Sequence, residues 1–490
     1  MSTDVDRRDL LRPIHNTSKD YFLTLAVAGV AIGIFLIAWG LQLRHGLIVT
    51  NLADWGSGGG VTWGLYIGAF IWWVGIAHGG IILSAAVRLL GMDRYKPVAR
   101  LAELLTIGAL TVAGLYIVVH MGRPDRVVTS IIPAFPWTIH NSPLIWDVTV
   151  ITLYFIMTAS YLGLTLRYDI YRLRDQLPDL FDPFYRLMLI GYSPEEDEIV
   201  ERMVWWLALA IIILAPLLLH GGVIPWLFAL LPSMPGWFGA VQGPQFLTIA
   251  LTSAISGVIL ASAAFRFVYG WEEIITEDVF RGLSLWLAFF ALLFVWLQLQ
   301  QVIGGVFAAP MDLDAATAAK LSHPVYWAAM IMVIGALAFL TAQALKPSLF
   351  SIGRVMAASV LVLAATLAEK IFFVVEGLMY PSFGLYQGVP GAYYPSWIEI
   401  VSVMGTIGIV VVFFMVVAKV IPVVELHVIE EFEGAHDEEG EGDREFEHED
   451  EPELESDSEL DSEPEPDVRE EPPAAETLNA ADEPSGGETA

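Results

Sequence analysis

The chain has no cysteine among its 490 residues. That absence excludes disulfides and thiolate-held iron–sulfur clusters, so any electrons it handles must pass through a partner or an organic molecule. Basic residues are scarce as well: 25 Lys and Arg stand against 55 Asp and Glu, the reverse of what a nucleic-acid surface needs. The deficit is local. Residues 425–490 hold 28 acidic groups against Arg444 and Arg469, whereas the other 424 residues carry 27 acidic and 23 basic groups, a net of −4. The glycines, Gly58-Gly59-Gly60 included, form no nucleotide fingerprint, and no ATPase motif is present. The short alternating segments of a transmembrane β-barrel are missing too.

What is there is apolar, with a mean hydropathy of +0.60. Apolar segments fall at about 21–42, 62–90, 98–121, 142–166, 203–231, 243–269, 279–305, 323–345, 352–378 and 397–421, and a bilayer crossing takes ~20 residues. They predict an all-α integral membrane protein of ten transmembrane helices. Helices 2–5 and 6–9 are candidates for two four-helix bundles, with helices 1 and 10 as flanking helices. Lys and Arg gather on the N-terminal arm (Arg7, Arg8, Arg12, Lys19) and on the loops after helices 2 and 4, where Arg88, Arg94, Lys96, Arg100, Arg167, Arg172 and Arg174 lie. The opposite loops hold Arg44, Arg123, Arg126 and Lys320. Positive charge marks the cytoplasmic side, so both termini are expected there, N-in and C-in. The expected layout is a cytoplasmic arm over 1–20, a ten-helix membrane domain over 21–424 and an acidic tail over 425–490. The tail is too poor in apolar residues to fold and is expected to be disordered. A salt-loving prokaryotic host is one cause of such a tail. Asp6-Arg7-Arg8-Asp9 faintly resembles a twin-arginine signal, but the first span is too long for a signal core and is read as a true span.

Ionisable residues inside such segments are costly and usually mark a pathway. His78 sits within Phe70-Ile-Trp-Trp-Val-Gly-Ile-Ala-His78-Gly-Gly, His120 closes helix 3, and Asp147 lies about five residues into helix 4. With the N-terminus inside, His120 and Asp147 share a depth near the outer face and should be neighbours. A His/Asp pair supplies one proton acceptor for each hydroxyl of a quinol. The plainer reading makes His120 interfacial and Asp147 a helix cap. Asp147, Tyr154 and Thr158 form one stripe of helix 4, and Thr106, Ala113 and His120 one stripe of helix 3 with Glu103 beside it. Glu103 and His78 are then stations of a proton route, or else a surface Glu and a satisfied core histidine. Arg123 orients a site carboxylate, binds an acidic group, or is a plain interfacial arginine. Glu369, Lys370 and Glu376 on helix 9 make either a second proton route or a buried ion pair with a neighbouring helix. Haem needs histidines at matched depth on facing helices. His120 with His220 is the pairing the positions allow, while His140 and His323 lie near the outer face.

Three stretches carry a family likeness: Thr62-Trp-Gly-Leu-Tyr-Ile through His78-Gly-Gly, His120-Met-Gly-Arg-Pro124, and Ser142-Pro-Leu-Ile-Trp-Asp147-Val. They resemble the NrfD/PsrC family of quinone-interacting membrane subunits, and more closely its ten-helix branch, the ActC/ActF subunits of alternative complex III. Weaker likeness continues through Gly243-Pro-Gln-Phe246, Ala368-Glu-Lys370 and Pro395-Ser-Trp-Ile-Glu399. The resemblance implies quinone, of the menaquinone type, as substrate near the outer face, with no metal or haem in this chain. It implies a ferredoxin-like iron–sulfur subunit as partner on that face, often beside a molybdopterin-type subunit. Carried onto this sequence, His120, Arg123, Asp147 and Tyr154 surround the quinone, and His78 and Glu103 lie on the proton route. The chain departs from the family at Lys370, where arginine is expected, and at Gly79-Gly80. The expectation is therefore a subunit of a prokaryotic cell-membrane oxidoreductase complex, exchanging electrons between quinone and an extracytoplasmic iron–sulfur partner, with proton translocation as its coupled step. A proton-coupled secondary transporter and a haem-bearing or purely structural anchor are the competing expectations.

Overall fold

The computed structural model describes residues 10–52, 60–138, 143–218, 224–307, 313–379, 393–428 and 430. Ten long helices account for most of them: α1 (Lys19–His45), α2 (Leu65–Leu89), α3 (Lys96–His120), α4 (Pro143–Leu173), α5 (Asp197–Leu218), α6 (Gln242–Tyr269), α7 (Glu277–Phe307), α8 (Pro324–Leu345), α9 (Ile352–Met379) and α10 (Trp397–Val417). No strand is found among the described residues. Nine of these helices, all but α5, are long and apolar enough there to cross a membrane.

The apolar residues face outward as well as inward, which water would not tolerate. On α7, Phe280, Leu283, Leu287, Ala291, Phe294 and Gln298 are buried, while Leu285, Phe289, Leu292, Trp296, Leu299 and Ile303 form an exposed stripe of the same period. A helix apolar on both faces, with its backbone satisfied internally, is built for lipid. The protein is an all-helical integral membrane protein.

Within the expected fifth span, 203–231, the described residues form α5 as far as Leu218 and a short helix Ile224–Ala229. Pro225 fits the open first turn of the short helix. The fourth span is longer than 142–166. At 31 residues and 1.5 Å per residue, α4 measures roughly 46 Å, more than the ~30 Å hydrocarbon core. Its Leu173 end therefore projects beyond the apolar layer.

Packing groups the helices into two sets of four. Helix α2 lies against α3 and α5, and α4 lies against both α3 and α5; α6 lies against α7 and α9, with α8 against α7 and α9. The sets meet where α2 contacts α6 and α9, while α1 and α10 pair together and lean on α3. The hub is α2, buried on nearly every side. Two glycines let it sit there. A β-carbon on Gly79 would stand 2.6 Å from the Ala250 carbonyl oxygen of α6, and one on Gly80 would stand 2.7 Å from the Thr106 hydroxyl of α3. Small residues at such crossings are how membrane helices gain close contact. We expect Gly79→Val to cost about 1–3 kcal/mol through overpacking. Thermal unfolding in detergent measures it, with Gly114→Ala, which meets nothing within 4 Å, as the tolerated control. Equal melting temperatures for the two variants would contradict this packing.

The two ends of the bundle are fastened differently. At the end carrying His120, Ser396 and Glu399 form a capping box that starts α10, and Glu399 also accepts a 2.5 Å bond from the Tyr393 hydroxyl. Tyr393 in turn accepts from the Leu65 amide, which starts α2. At the opposite end, Lys419 donates to the carbonyls of Pro13 and Asn16, and Arg12 to that of Tyr269. Leu10 and Leu11 of the arm are buried.

Candidate functional site

The first bundle, α2–α5, carries a line of buried polar side chains. At one end the hydroxyl of Tyr66 donates to Gln42 Oε1 at 2.6 Å, and Gln42 Nε2 donates to the Val119 carbonyl at 2.8 Å. This pins the last turn of α3, whose His120 ring lies edge-on to Tyr66 with centroids 6.3 Å apart. Tyr116, one turn earlier, contacts Ser402 and Thr406 of α10. Across the bundle, Asp147, Tyr154 and Thr158 are buried along one face of α4. Asp147 Oδ1, the Tyr154 hydroxyl, the Thr158 hydroxyl and His120 Nδ1 have no hydrogen-bond partner among the described residues. Buried polar atoms are rarely left so, because each one unpaired costs free energy. Four of them in one bundle are what a site for a hydrogen-bonding ligand requires.

Further in, the rings of His78 and Tyr154 lie 5.1 Å apart. On α3, the Thr106 hydroxyl lies 2.9 Å from the carbonyls of both Ala77 and Ala102, and Ser84 donates to Glu103 Oε1 at 2.6 Å. Glu103 is fully buried, so it is not the surface glutamate of the plainer reading. Asp147 is buried within α4 rather than capping it.

The structure does not join His120 to Asp147 directly: no hydrogen bond, ion pair or ring contact links them. The connection between α3 and α4 carries a π-helical turn Val127–Ile131 and a helix Ile132–Thr138. Arg123 is not in the buried set. It is exposed and makes two hydrogen bonds to Asp125, at 2.9 and 2.8 Å, which hold the Asp125 carboxyl below its usual range.

In the second bundle, Lys370 pairs at 3.2 Å with its own chain neighbour Glu369, not with another helix. Gln298 of α7 donates to Glu369 at 3.1 Å, and the ammonium stands 3.5 Å over the Phe246 ring of α6. Glu376 lies further along α9, beside a cavity of about 220 Å³ that Lys320 and Gln301 share, themselves bonded at 2.8 Å. His323 serves as the cap of α8, accepting from the Val325 amide. His140 and His220 lie outside the described residues. No cluster of three potential metal ligands is found among the described residues.

At the Lys96 end of the first bundle lies a second cavity, of about 210 Å³. The sequence reading missed its central ion pair. Arg100 and Asp169, both buried, contact one another closely. Arg88 donates to the Tyr161 hydroxyl and to Glu425, each at 3.0 Å. Burial alone would raise the Glu425 carboxyl, but Arg88, Arg100 and His427 outweigh it and hold it below the ordinary range. The stability it contributes is therefore present above the ordinary carboxylate pKa and lost as pH falls through the lowered folded value.

Comparison with known proteins bears on this arrangement. The family model described as "Polysulphide reductase, NrfD" matches residues 55–382. The chain belongs to the NrfD family. It is 33% identical over 241 residues to a putative membrane subunit of dimethyl sulfoxide reductase from Halobacterium salinarum, a match covering 49% of this chain and 50% of that relative. It is 22% identical to a selenate reductase subunit of Mesobacillus selenatarsenatis, over 83% of this chain and 94% of the relative. It is also 22% identical to an Hdr-like menaquinol oxidoreductase integral membrane subunit of Archaeoglobus fulgidus, over 86% and 98%. As an NrfD protein, the chain has its buried polar line in α2–α4, well inside the matched region.

Proposed function

We propose that this NrfD protein is the quinone-interacting membrane subunit of a respiratory oxidoreductase complex. It exchanges electrons between the quinone pool and an iron–sulfur subunit docked at the His120 end. The observation that carries this reading is the set of unpartnered buried groups on His120, Asp147, Tyr154 and Thr158. Two relatives are named for reductases of dimethyl sulfoxide and of selenate and one for a menaquinol oxidoreductase, and a quinone-linked role for this chain is in keeping with all three names. Menaquinone as the quinone, a molybdopterin-type subunit beyond the iron–sulfur partner and membership in the ActC/ActF branch are parts of the same proposal.

In quinol oxidation two protons and two electrons leave each ring. On this reading a ring held between His120 and Asp147 has a proton acceptor on either side, and the Tyr154 hydroxyl provides a further hydrogen bond. The electrons go to the docked cluster. The gathering of Lys and Arg on one side supports cytoplasmic termini, with His120 and Asp147 at the outer face. His78 and Glu103 then connect that face inward, with Glu369, Lys370 and Glu376 as the corresponding groups of the second bundle.

Binding of a fluorescent quinol analogue to the purified protein tests the site. We expect saturable quenching in the wild type and at least about tenfold weaker affinity in Asp147→Asn and His120→Ala, the factor for ~1.4 kcal/mol. Affinity unchanged in both variants would move the site elsewhere.

A further inference from the structure

The segment that follows α10 does not leave the protein. It crosses to the Lys96 end of the first bundle, away from α1, and is held there at point after point. Tyr185 donates to the Val420 carbonyl at 2.7 Å, and Arg100 lies 3.3 Å from the carbonyls of Pro422 and Val424. The Leu426 amide donates to Asp169 at 3.2 Å, and Tyr168 donates to Glu430 at 2.9 Å. Val423, Val424, Leu426 and Val428 are buried, so the seat is apolar. Between them Glu425 points to Arg88 at 3.0 Å and lies 3.9 Å from Arg100.

Glu425, His427 and Val428 form one side of the 210 Å³ cavity, and Ser84 is on its wall. Ser84 is the residue bonded to Glu103. Ser84 and Arg88 are one turn apart on the same face of α2. The cavity has room for several waters, at about 30 Å³ each, and enough polar groups to hold them. Charged and hydroxyl groups on the wall, a buried carboxyl bonded to one of them, that of Ser84, and a segment from another part of the chain along one side are the parts of a gated access chamber.

We propose that residues 422–428 are a gate on this chamber, with Glu425 as its latch on Arg88, and that the gate controls access of water and protons to Glu103. The proposal rests on the proton route proposed above and adds its control. The apolar seat keeps the gate closed at rest. The latch is the part whose loss leaves that seat intact, so Glu425→Gln loosens the gate without unfolding the bundle.

The absence of cysteine makes the test direct. Thr165, half-buried on the chamber wall, is replaced by cysteine in the full chain, and its reaction with a charged, water-soluble methanethiosulfonate is timed. We expect slow reaction in Thr165→Cys alone. Adding Glu425→Gln should accelerate it about tenfold, as loss of a charge-assisted bond predicts. Tyr168→Phe, which removes the outlying bond to Glu430, should give a smaller acceleration and serves if Glu425→Gln folds poorly. Labelling of Glu103 by dicyclohexylcarbodiimide, mapped by mass spectrometry, should rise in step, with Glu103→Gln as the blank. Equal thiol rates in all variants overturn the gate. Faster thiol reaction with unmoved Glu103 labelling overturns the chamber's connection to Glu103. Neither result touches the quinone site, which analogue binding tests on its own.

Discussion

In the assembled complex, Asp147→Asn is expected to lower quinol-linked electron transfer by about 10²–10⁴-fold, the range for loss of a positioned general base, the role proposed for this carboxylate. Asparagine keeps the shape of the side chain and its ability to hydrogen bond but takes up no proton. The effect should fall on turnover more than on folding, because Asp147 Oδ1 supports nothing else among the described residues. Arg123→Gln is the matched comparison. Although it lies just beyond His120 in the connection to α4, its guanidinium is exposed and bonded to Asp125, so its rate should stay within about twofold, as for surface positions. Stopped-flow or steady-state quinol oxidation reads both. A full rate in Asp147→Asn would remove this carboxylate from the chemistry, and a large loss in Arg123→Gln would bring the loop into it.

The second large effect concerns stability. Removing one partner of a buried ion pair strands the other charge, at a cost of about 3–5 kcal/mol. Arg100→Leu or Asp169→Leu alone should therefore lower the detergent melting temperature sharply. The double replacement should recover much of the loss, since an apolar pair of similar volume needs no solvation. Additive losses in the double variant would show that each residue works through its other bonds, to residues 422–426, rather than through the pair.

Much of the architecture was legible because lipid imposes one rule on every span: long, apolar and helical. The two four-helix groups followed from the count and order of those spans. Legibility failed where a span met something other than lipid. Helix α4 continues past 166 because its last turns are polar and packed against protein, so hydropathy ended the helix too early and left Asp169 unassigned. Arg100 was then counted as one more cytoplasmic charge instead of half of a buried pair. The boundary at Glu425 followed composition, and composition weighs a latch and a solvated tail alike. Within the site, the residues on α2–α4 were visible as titratable groups in apolar runs. Gln42 carried the same signal, a lone amide late in an apolar helix, but being uncharged it drew no notice. Lys320, Gln298 and Gln301 come together from separate elements, and nothing in their spacing announces that.

The adjacent glycines of α2 carry a consequence for the proton route proposed through His78. A helix wedged between two neighbours at backbone contact has no room to slide or tilt. The imidazole is thus carried on a fixed post, and rotation of its own ring, or rearrangement of water beside it, is the motion left to it. Alternating-access transport works by rocking one bundle against another, and here the seam between bundles is where the backbones are locked together. On the proposed proton route, coupling between the two faces is then a matter of side chains changing partners within a rigid frame.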